Sequence, residues 1–313
     1  MFTKEISIII PTKNRPKLLI VTVEKAVEAI GSLPIEIIVV NDGETLPNIS
    51  QISCTLRFFN NPYRGVASAR NYGVKQSNGR ILFFIDDDMW INRPGLEWIL
   101  KNFSFDENEK FVFNLNWEYP SELQKKLLNS KMGRYILANN YNTLWGRMHA
   151  VGVRPSSGRY KFSHIGSGSL VMKRDTFNFI GGYNEDFIFA GEDIEFSNRL
   201  NKHQIPIFCV FDITLFHNHS DRLDLDGHLD RESRGLHSLF TAEIMGLIPK
   251  SPHNYLGLNG VLFRFVHLNE KFLIFMINVL PDYSFFIKLT NRLIGILTSL
   301  QGYKEWRKVY RKF

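Results

Sequence analysis

The sequence predicts an α/β protein built on an open, mostly parallel central sheet flanked by helices, and three observations carry that expectation. Short apolar runs alternate with helical periodicity over the first hundred residues, polar residues close each run, and glycine or proline marks the junctions. Residues 6–10, 35–40, 56–59 and 81–85 are β-branched or aromatic runs bounded by Pro, Asn, Asp or Gly, the pattern of strands buried on both faces. Between the first two, Leu18, Leu19, Val21, Val23, Ala26, Val27 and Ile30 recur at helical spacing, and Gly31 stands where a helix would stop. That is a βαβ unit. A second helix is expected over residues 66–77, with Gly79 before the next strand. Ligands of such sheets bind beyond the carboxyl ends of the strands, so the residues to examine are those that close each run. They are Pro11-Thr12-Lys13-Asn14-Arg15, Asn41-Asp42-Gly43 and Asp86-Asp87-Asp88.

The bulk properties narrow the function classes. At 313 residues, with 44% hydrophobic and 13% aromatic content, the chain can bury a sizeable core. An excess of 38 Lys and Arg over 31 Asp and Glu favours anionic partners such as nucleotides or phospholipid headgroups. Nucleic-acid binding would rest on net charge alone and is discounted. Cys54 and Cys209 lie far apart without metal-ligand spacing, which points to a reducing cytoplasm rather than a disulfide framework. Lys4 and Glu5 precede a run too short for a secretory signal. No stretch approaches the roughly 20 apolar residues that span a bilayer, so no crossing is expected.

The middle, about 110–220, is irregular, with Trp117, Tyr119, Trp145 and Gly166-Ser167-Gly168, a helix expected over Glu192–Lys202 and a strand over 207–211. It is expected to supply an acceptor-side face. The aromatics Trp117, Tyr141, Trp145 and Tyr183 are read as core rather than as sugar-stacking platforms.

Three successive carboxylates repel one another unless a cation or hydrogen-bond donors compensate. A hard divalent ion, Mn²⁺ or Mg²⁺, would bridge one or two of them to phosphate oxygens. In an extended chain Asp86 and Asp88 would project to the same side and cooperate. The competing readings are a solvated acidic turn, or a cap for a helix near Pro94. Likewise Asp42 before Gly43 would suit a turn, and Lys13, Arg15 and Arg70 would suit surface ion pairs.

The ordered set of residues 6–15, Val39-Val40-Asn41-Asp42-Gly43, residues 65–71 and residues 81–88 resembles the nucleotide-binding half of family 2 glycosyltransferases, inverting enzymes of the GT-A fold. Residues 181–187 and Gly191-Glu192-Asp193-Ile194-Glu195-Phe196 resemble that family's acceptor-side segment with its acidic catalytic pair. The resemblance covers about 1–220. It implies a GT-A domain over 1–220, with a nucleotide-binding half over 1–110 and an acceptor half over 111–220; residues 221–313 form a helical C-terminal extension. Pro11, Lys13, Arg15, Asp42, Arg70, Asp86 and Asp87 would then hold the nucleotide sugar, and Asp88 with Asp86 would hold the metal. His217, with His219 as second choice, would add a metal ligand.

Inverting transfer needs a base for the acceptor hydroxyl and an electrophile for the departing diphosphate. Asp193 is assigned as base. Adjacent at a helix start, Glu192 and Asp193 should diverge, one reaching the acceptor and the other holding the loop; the bland alternative is that both serve the helix N-terminus. The acceptor would be a glycan or a lipid-linked hydroxyl. The basic, aromatic end of the chain, after an apolar stretch, suits contact with an anionic membrane surface from the cytoplasmic side, or packing on the catalytic domain or on another subunit. A Gln-x-x-Arg-Trp motif and membrane spans, which mark processive synthases, are absent, so one sugar per acceptor is expected. A nucleotidyltransferase on a similar sheet would need a glycine-rich basic loop that the N-terminus lacks, and a silent nucleotide-binding scaffold would need neither Asp88 nor Asp193.

Overall fold

A computed structural model describes residues 4–44, 55–103, 109–148, 152–188, 190–221, 223–250, 252, 255 and 257–310. Contacts divide the chain into two units: Met1–Pro120 with Thr143–Asn218, and Ser121–Asn142 with His219–Phe313. Cys54, named above, lies outside the described residues, and Cys209 is buried in a strand, where burial pushes its thiol up to about 12.

Among the described residues, the first unit is built on a nine-stranded sheet. Its first part is parallel, in the order β3 (Leu56–Asn60), β2 (Ile35–Asn41), β1 (Lys4–Thr12), β4 (Gly79–Ile85). Every residue of β2 is buried, as is 6–12 of β1 and 81–85 of β4, which is why these strands read as unbroken apolar runs. Helix α1 (Pro16–Ile30) starts on the proline and ends at Gly31 (φ 52°), burying Leu19, Val23, Ala26 and Ile30. Helix α2 (Val66–Gln76) returns the chain from β3 to β4. The expected parallel α/β half is present, with strand starts and ends within two residues of expectation.

Beyond β4 the sheet becomes mixed. The strand β8 (Ser169–Lys173) runs antiparallel to β4 and to β6 (Val112–Glu118), and β6 pairs in parallel with β9 (Ile207–His217). The short β5 (Met89–Trp90) and β7 (Arg159–Phe162) pair with opposite stretches of β9. The run expected over 207–211 therefore continues to His217, through a register shift after Leu115 that re-pairs Asn116 with Thr214. That extension sets Met89 opposite His217. Helices α3 (Arg93–Asn102), α6 (Leu144–Arg147), α7 (Arg174–Ile180) and α8 (Glu192–Lys202) complete the unit. The α3 cap is Asn92, whose side chain accepts from Gly95 N at 2.9 Å, so the acidic triplet does not cap that helix.

The second unit is helical: α4 (Ser121–Leu128), α5 (Lys131–Ala138), α9 (Leu225–Ile244), α10 (Gly257–Leu268), α11 (Glu270–Val279) and α12 (Ser284–Tyr310). The long α12 packs on α9 and α5, burying Ile294, Leu297, Leu300 and Tyr303. Lys131 Nζ donates to the carbonyls of Ile277 (2.7 Å) and Asn278 (2.8 Å), tying α5 to the end of α11. Among the described residues no helix is long and apolar enough to cross a membrane.

Candidate active site

The carboxyl ends of β1, β2 and β4 converge with the starts of α2 and α8. Asp86, Asp87 and Asp88 leave β4 in a turn closed by Met89 N donating to Asp86 O at 3.1 Å, not in an extended chain. The same-side projection expected for Asp86 and Asp88 therefore does not occur. The three side chains take three different sets of partners.

Asp87 points back under β1. It accepts from Thr12 Oγ1 at 2.7 Å and from Arg15, and its carbonyl accepts from Thr22 Oγ1 of α1 at 2.9 Å. At 5% exposure it is no solvated turn. Burial raises its pKa to about 7, against the pull of the Arg15 guanidinium, with Asp88 adding to the rise. Asp88, 1% exposed, accepts from Arg15 at 2.5 Å on Oδ2, while its Oδ1 lies 2.9 Å from His217 Nε2. Its carbonyl accepts from Asn218 N at 2.8 Å, so backbone pairing and side-chain contact fix the same two segments together. Trp117 of β6 and Tyr119, just beyond its end, set their rings edge-on to His217, with centroids 4.6 and 6.2 Å away, and hold the imidazole in place.

Asp86 takes the other direction. Its Oδ1 accepts from Arg70 NH2 at 3.1 Å, and a Cβ on Gly168 would lie 2.7 Å from its Oδ2, so only glycine permits this approach. Arg70, 3% exposed on α2, also donates to Glu192 Oε1 at 2.8 Å and lies over the Tyr183 ring, 5.4 Å from its centroid. It therefore bridges the acidic turn to the start of α8. Removing it would leave Glu192 buried without its cation. Arg70→Met is expected to cost about 3–5 kcal/mol, toward the lower end because the Asp86 side chain is 38% exposed, measured by urea unfolding. A loss below about 1 kcal/mol would contradict the bridge.

Glu192 and Asp193 do diverge. Glu192 is buried on Arg70, and burial raises its pKa to about 7, with the neighbouring Asp193 charge adding to the effect and Arg70 opposing it. Asp193 is only partly buried and turns to the Gly166–Gly168 segment, where Ser167 donates to it from Oγ and, at 3.3 Å, from its backbone N–H. Burial raises the Asp193 pKa, opposed by Arg70 and by the Ser167 hydrogen bonds, and Asp86 adds to the rise. Ser167 Oγ also shares a 2.8 Å hydrogen bond with Tyr183 OH.

On the β2 side, Asp42 accepts from Lys13 Nζ (3.0 Å), Asn61 Nδ2 (2.8 Å) and Gly65 N (2.9 Å). Gly65 has φ 105°, and a Cβ there would sit 2.7 Å from Ile188 Cα, so this junction of β3, α2 and the 183–188 loop requires glycine. Pro11 is buried in β1 opposite Val40. The turn after Asn41 is closed by the Asn41 side chain accepting from Gly43 N at 3.0 Å, which leaves Asp42 for the site.

The structure thus gathers Arg15, Asp87, Asp88 and His217 in one cluster, Arg70, Asp86, Glu192 and Asp193 in a second, and Lys13 with Asp42 at a third position. Ser167, Gly168 and Tyr183 were missed as site residues, although the Gly-Ser-Gly tract was visible in the sequence. Trp117 and Tyr183 are core, as expected, while also touching His217 and Arg70.

Asp88, His217 and His219 bring one ligand atom each to within 4.8 Å of one another; for the two histidines their places in the chain already impose this closeness. Asp86 lies outside this group. Two donors about 2.1 Å from one ion at a right angle lie about 3 Å apart, which the Asp88–His217 separation of 2.9 Å matches. One carboxylate and two imidazoles fit Mn²⁺ better than Mg²⁺, which prefers oxygen alone.

The architecture is the GT-A fold. The sequence profile described as Glycosyl transferase family 2 matches residues 7–153, and that of the N-terminal domain of galactosyltransferase matches residues 147–219. An uncharacterized glycosyltransferase of Rickettsia felis is 32% identical over 143 residues, covering 42% of this chain and 21% of the relative. The O-antigen biosynthesis protein RfbC of Myxococcus xanthus is 23% identical over 236 residues, 70% of this chain and 18% of the relative. The chain spans about a fifth of the length of these relatives. Among solved structures, a mannosyltransferase of Pyrobaculum calidifontis in complex with GDP-Man and Mn²⁺ superposes with TM-score 0.55 at 15% identity, covering 96% of this chain and 88% of the other. GalNAc-T7 with UDP, GalNAc and Mn²⁺ gives 0.52 at 13% identity over 77% and 48%.

Proposed function

We propose that the chain is a metal-dependent inverting glycosyltransferase that moves one sugar from a nucleotide sugar, with a UDP-sugar favoured, to a hydroxyl of a glycan or lipid-linked acceptor in polysaccharide synthesis. The observation that carries this reading is the presence of a cation-suited cluster at Asp88 and a partly exposed carboxylate, Asp193, on two segments that Arg70 ties together through their neighbours Asp86 and Glu192. Residues 1–220 would form the catalytic domain, with 121–142 as an excursion from it and 221–313 as the helical extension. Lys13, Asp42 and Pro11 would line the base and ribose pocket, and Asp86 with Arg70 would border the donor sugar. Arg15 would hold Asp87 and Asp88 in place until the donor diphosphate arrives.

Asp193 would take the proton of the acceptor hydroxyl as its oxygen forms the new bond to the anomeric carbon. The bond from that carbon to the diphosphate breaks, and its electron pair leaves with the diphosphate. Ser167 would orient Asp193, and Glu192 would position Arg70. A divalent cation held by Asp88, His217 and His219 would offset the charge of the departing diphosphate.

The test is release of nucleoside diphosphate from UDP-, GDP- and dTDP-sugars with Mn²⁺ in the presence of glycan acceptors. Absence of release from every donor would reject the reading. A base must be unprotonated to act, and the Asp193 pKa is raised, so the rate should climb with pH over a range above the ordinary carboxylate value of about 3.9. A flat kcat/KM profile down to that value would exclude Asp193 as base.

A further inference from the structure

We propose that the helical unit docks on an anionic lipid bilayer through the face of α10 and α11, with a basic cavity beside it accepting lipid phosphate. This inference is independent of the sugar-transfer reading. Val261, Phe265, Leu268, Phe272, Phe275 and Val279 are each more than half exposed. They follow one another at intervals of four, three, four, three and four residues, which is the helical period, so they form one stripe. The first three lie on α10 and the last three on α11, and the two helices meet at Asn269, whose N donates to Phe265 O (3.2 Å) and whose O accepts from Leu273 N (3.0 Å). Leu262, Tyr283 and Phe285 add further exposed apolar surface nearby in the chain. Exposed apolar surface of this extent on a soluble domain marks an interaction site.

Charge selects the occupant. Arg264 and Lys271, seven residues apart, fall beside the stripe, and Lys288 and Arg292 on α12 are also exposed. The acidic residues in this stretch are both committed, Glu270 to Lys304 at 2.6 Å and Asp282 to Arg134. A cavity of about 480 Å³ is lined by His267 of α10 and by Tyr303, Lys304, Arg307 and Lys308 of α12. Glu270 and Glu305 offset two of its three Lys and Arg charges, and Arg307, over the Tyr303 ring at 5.5 Å, supplies the remaining one. An apolar stripe with cations at its margin and a cationic recess alongside suits acyl chains below and phosphate headgroups above. Because no helix among the described residues is long and apolar enough to span, the contact would lie in the membrane plane.

The experiment is flotation of the full chain with vesicles of phosphatidylcholine alone or mixed with phosphatidylglycerol. The chain should float with the mixed vesicles, roughly tenfold more weakly with phosphatidylcholine alone, and less as salt rises. Inorganic phosphate at matched ionic strength should compete no better than chloride; complete displacement by phosphate would point to a free anion and overturn the lipid assignment. Phe265→Glu with Phe272→Glu should abolish flotation while leaving the unfolding temperature unchanged, since both side chains are exposed. Arg264→Glu with Lys271→Glu should reduce it by about tenfold or more. Failure of the parent chain to float, or equal flotation of the phenylalanine variant, would overturn the proposal. So would a concentration-dependent dimer in sedimentation that the same phenylalanine substitutions dissolve, because the face would then belong to a second copy.

Discussion

Replacing Asp193 by Asn is expected to lower kcat by about 10²–10⁴-fold while leaving nucleotide-sugar binding in place. The substitution keeps shape and volume. It also keeps the local hydrogen bonding, since the amide oxygen can accept from one Ser167 donor and the amide nitrogen can donate to Ser167 Oγ, which already shares a hydrogen bond with Tyr183 OH. What is lost is the basic lone pair. Steady-state transfer and donor calorimetry on one preparation separate the two effects, and an active Asp193→Asn protein would remove the base assignment. Glu192→Gln should differ in kind: it weakens the hold on Arg70 and so should appear in unfolding as well as in rate.

The second large effect is expected at the metal cluster. Asp88→Ala should weaken Mn²⁺ binding by more than the 10–100-fold typical of a residue that merely supports a ligand, and excess Mn²⁺ should not restore transfer. His217→Ala should fall within that 10–100-fold range or beyond it. Calorimetric titration with Mn²⁺ reads both directly, without reference to turnover. Unchanged affinity in Asp88→Ala would place the ion elsewhere, and unchanged affinity in His217→Ala would leave that imidazole as a brace for the β5–β9 pairing.

The parallel half of the sheet was legible because strands covered on both faces show as continuous apolar runs, and because Gly31 and Gly79 punctuate the helices between them. The acidic triplet was legible as a charge cluster, but not its geometry. The sequence suggested an extended strand end, whereas the backbone turns at Asp86 and directs Asp87 to Thr12 and Arg15, Asp88 to His217, and Asp86 to Arg70. The turn there is closed by a backbone hydrogen bond from Met89, and the side chains are held by partners distant in sequence, neither of which periodicity records. Ser167 escaped for a related reason: its partner lies 26 positions away, and such a contact leaves no local pattern. The length of β9 was hidden because its register shift interrupts the apolar run before His217.

The detour of residues 121–142 into the helical unit has a consequence for synthesis on the ribosome. Helix α5 ends at Ala138, and α9, the first helix of the later segment, begins at Leu225, a gap of 225 − 138 = 87 residues. At about 5–20 residues per second, α4 and α5 emerge roughly 4–17 seconds before the first of those helices starts to appear. Throughout that interval Leu123, Leu127, Met132 and Ile136, buried in the finished fold, have none of the later helices to cover them. The nascent chain is therefore most exposed to chaperone capture in the middle of its translation, and slowing elongation after residue 138 should lengthen that window in proportion.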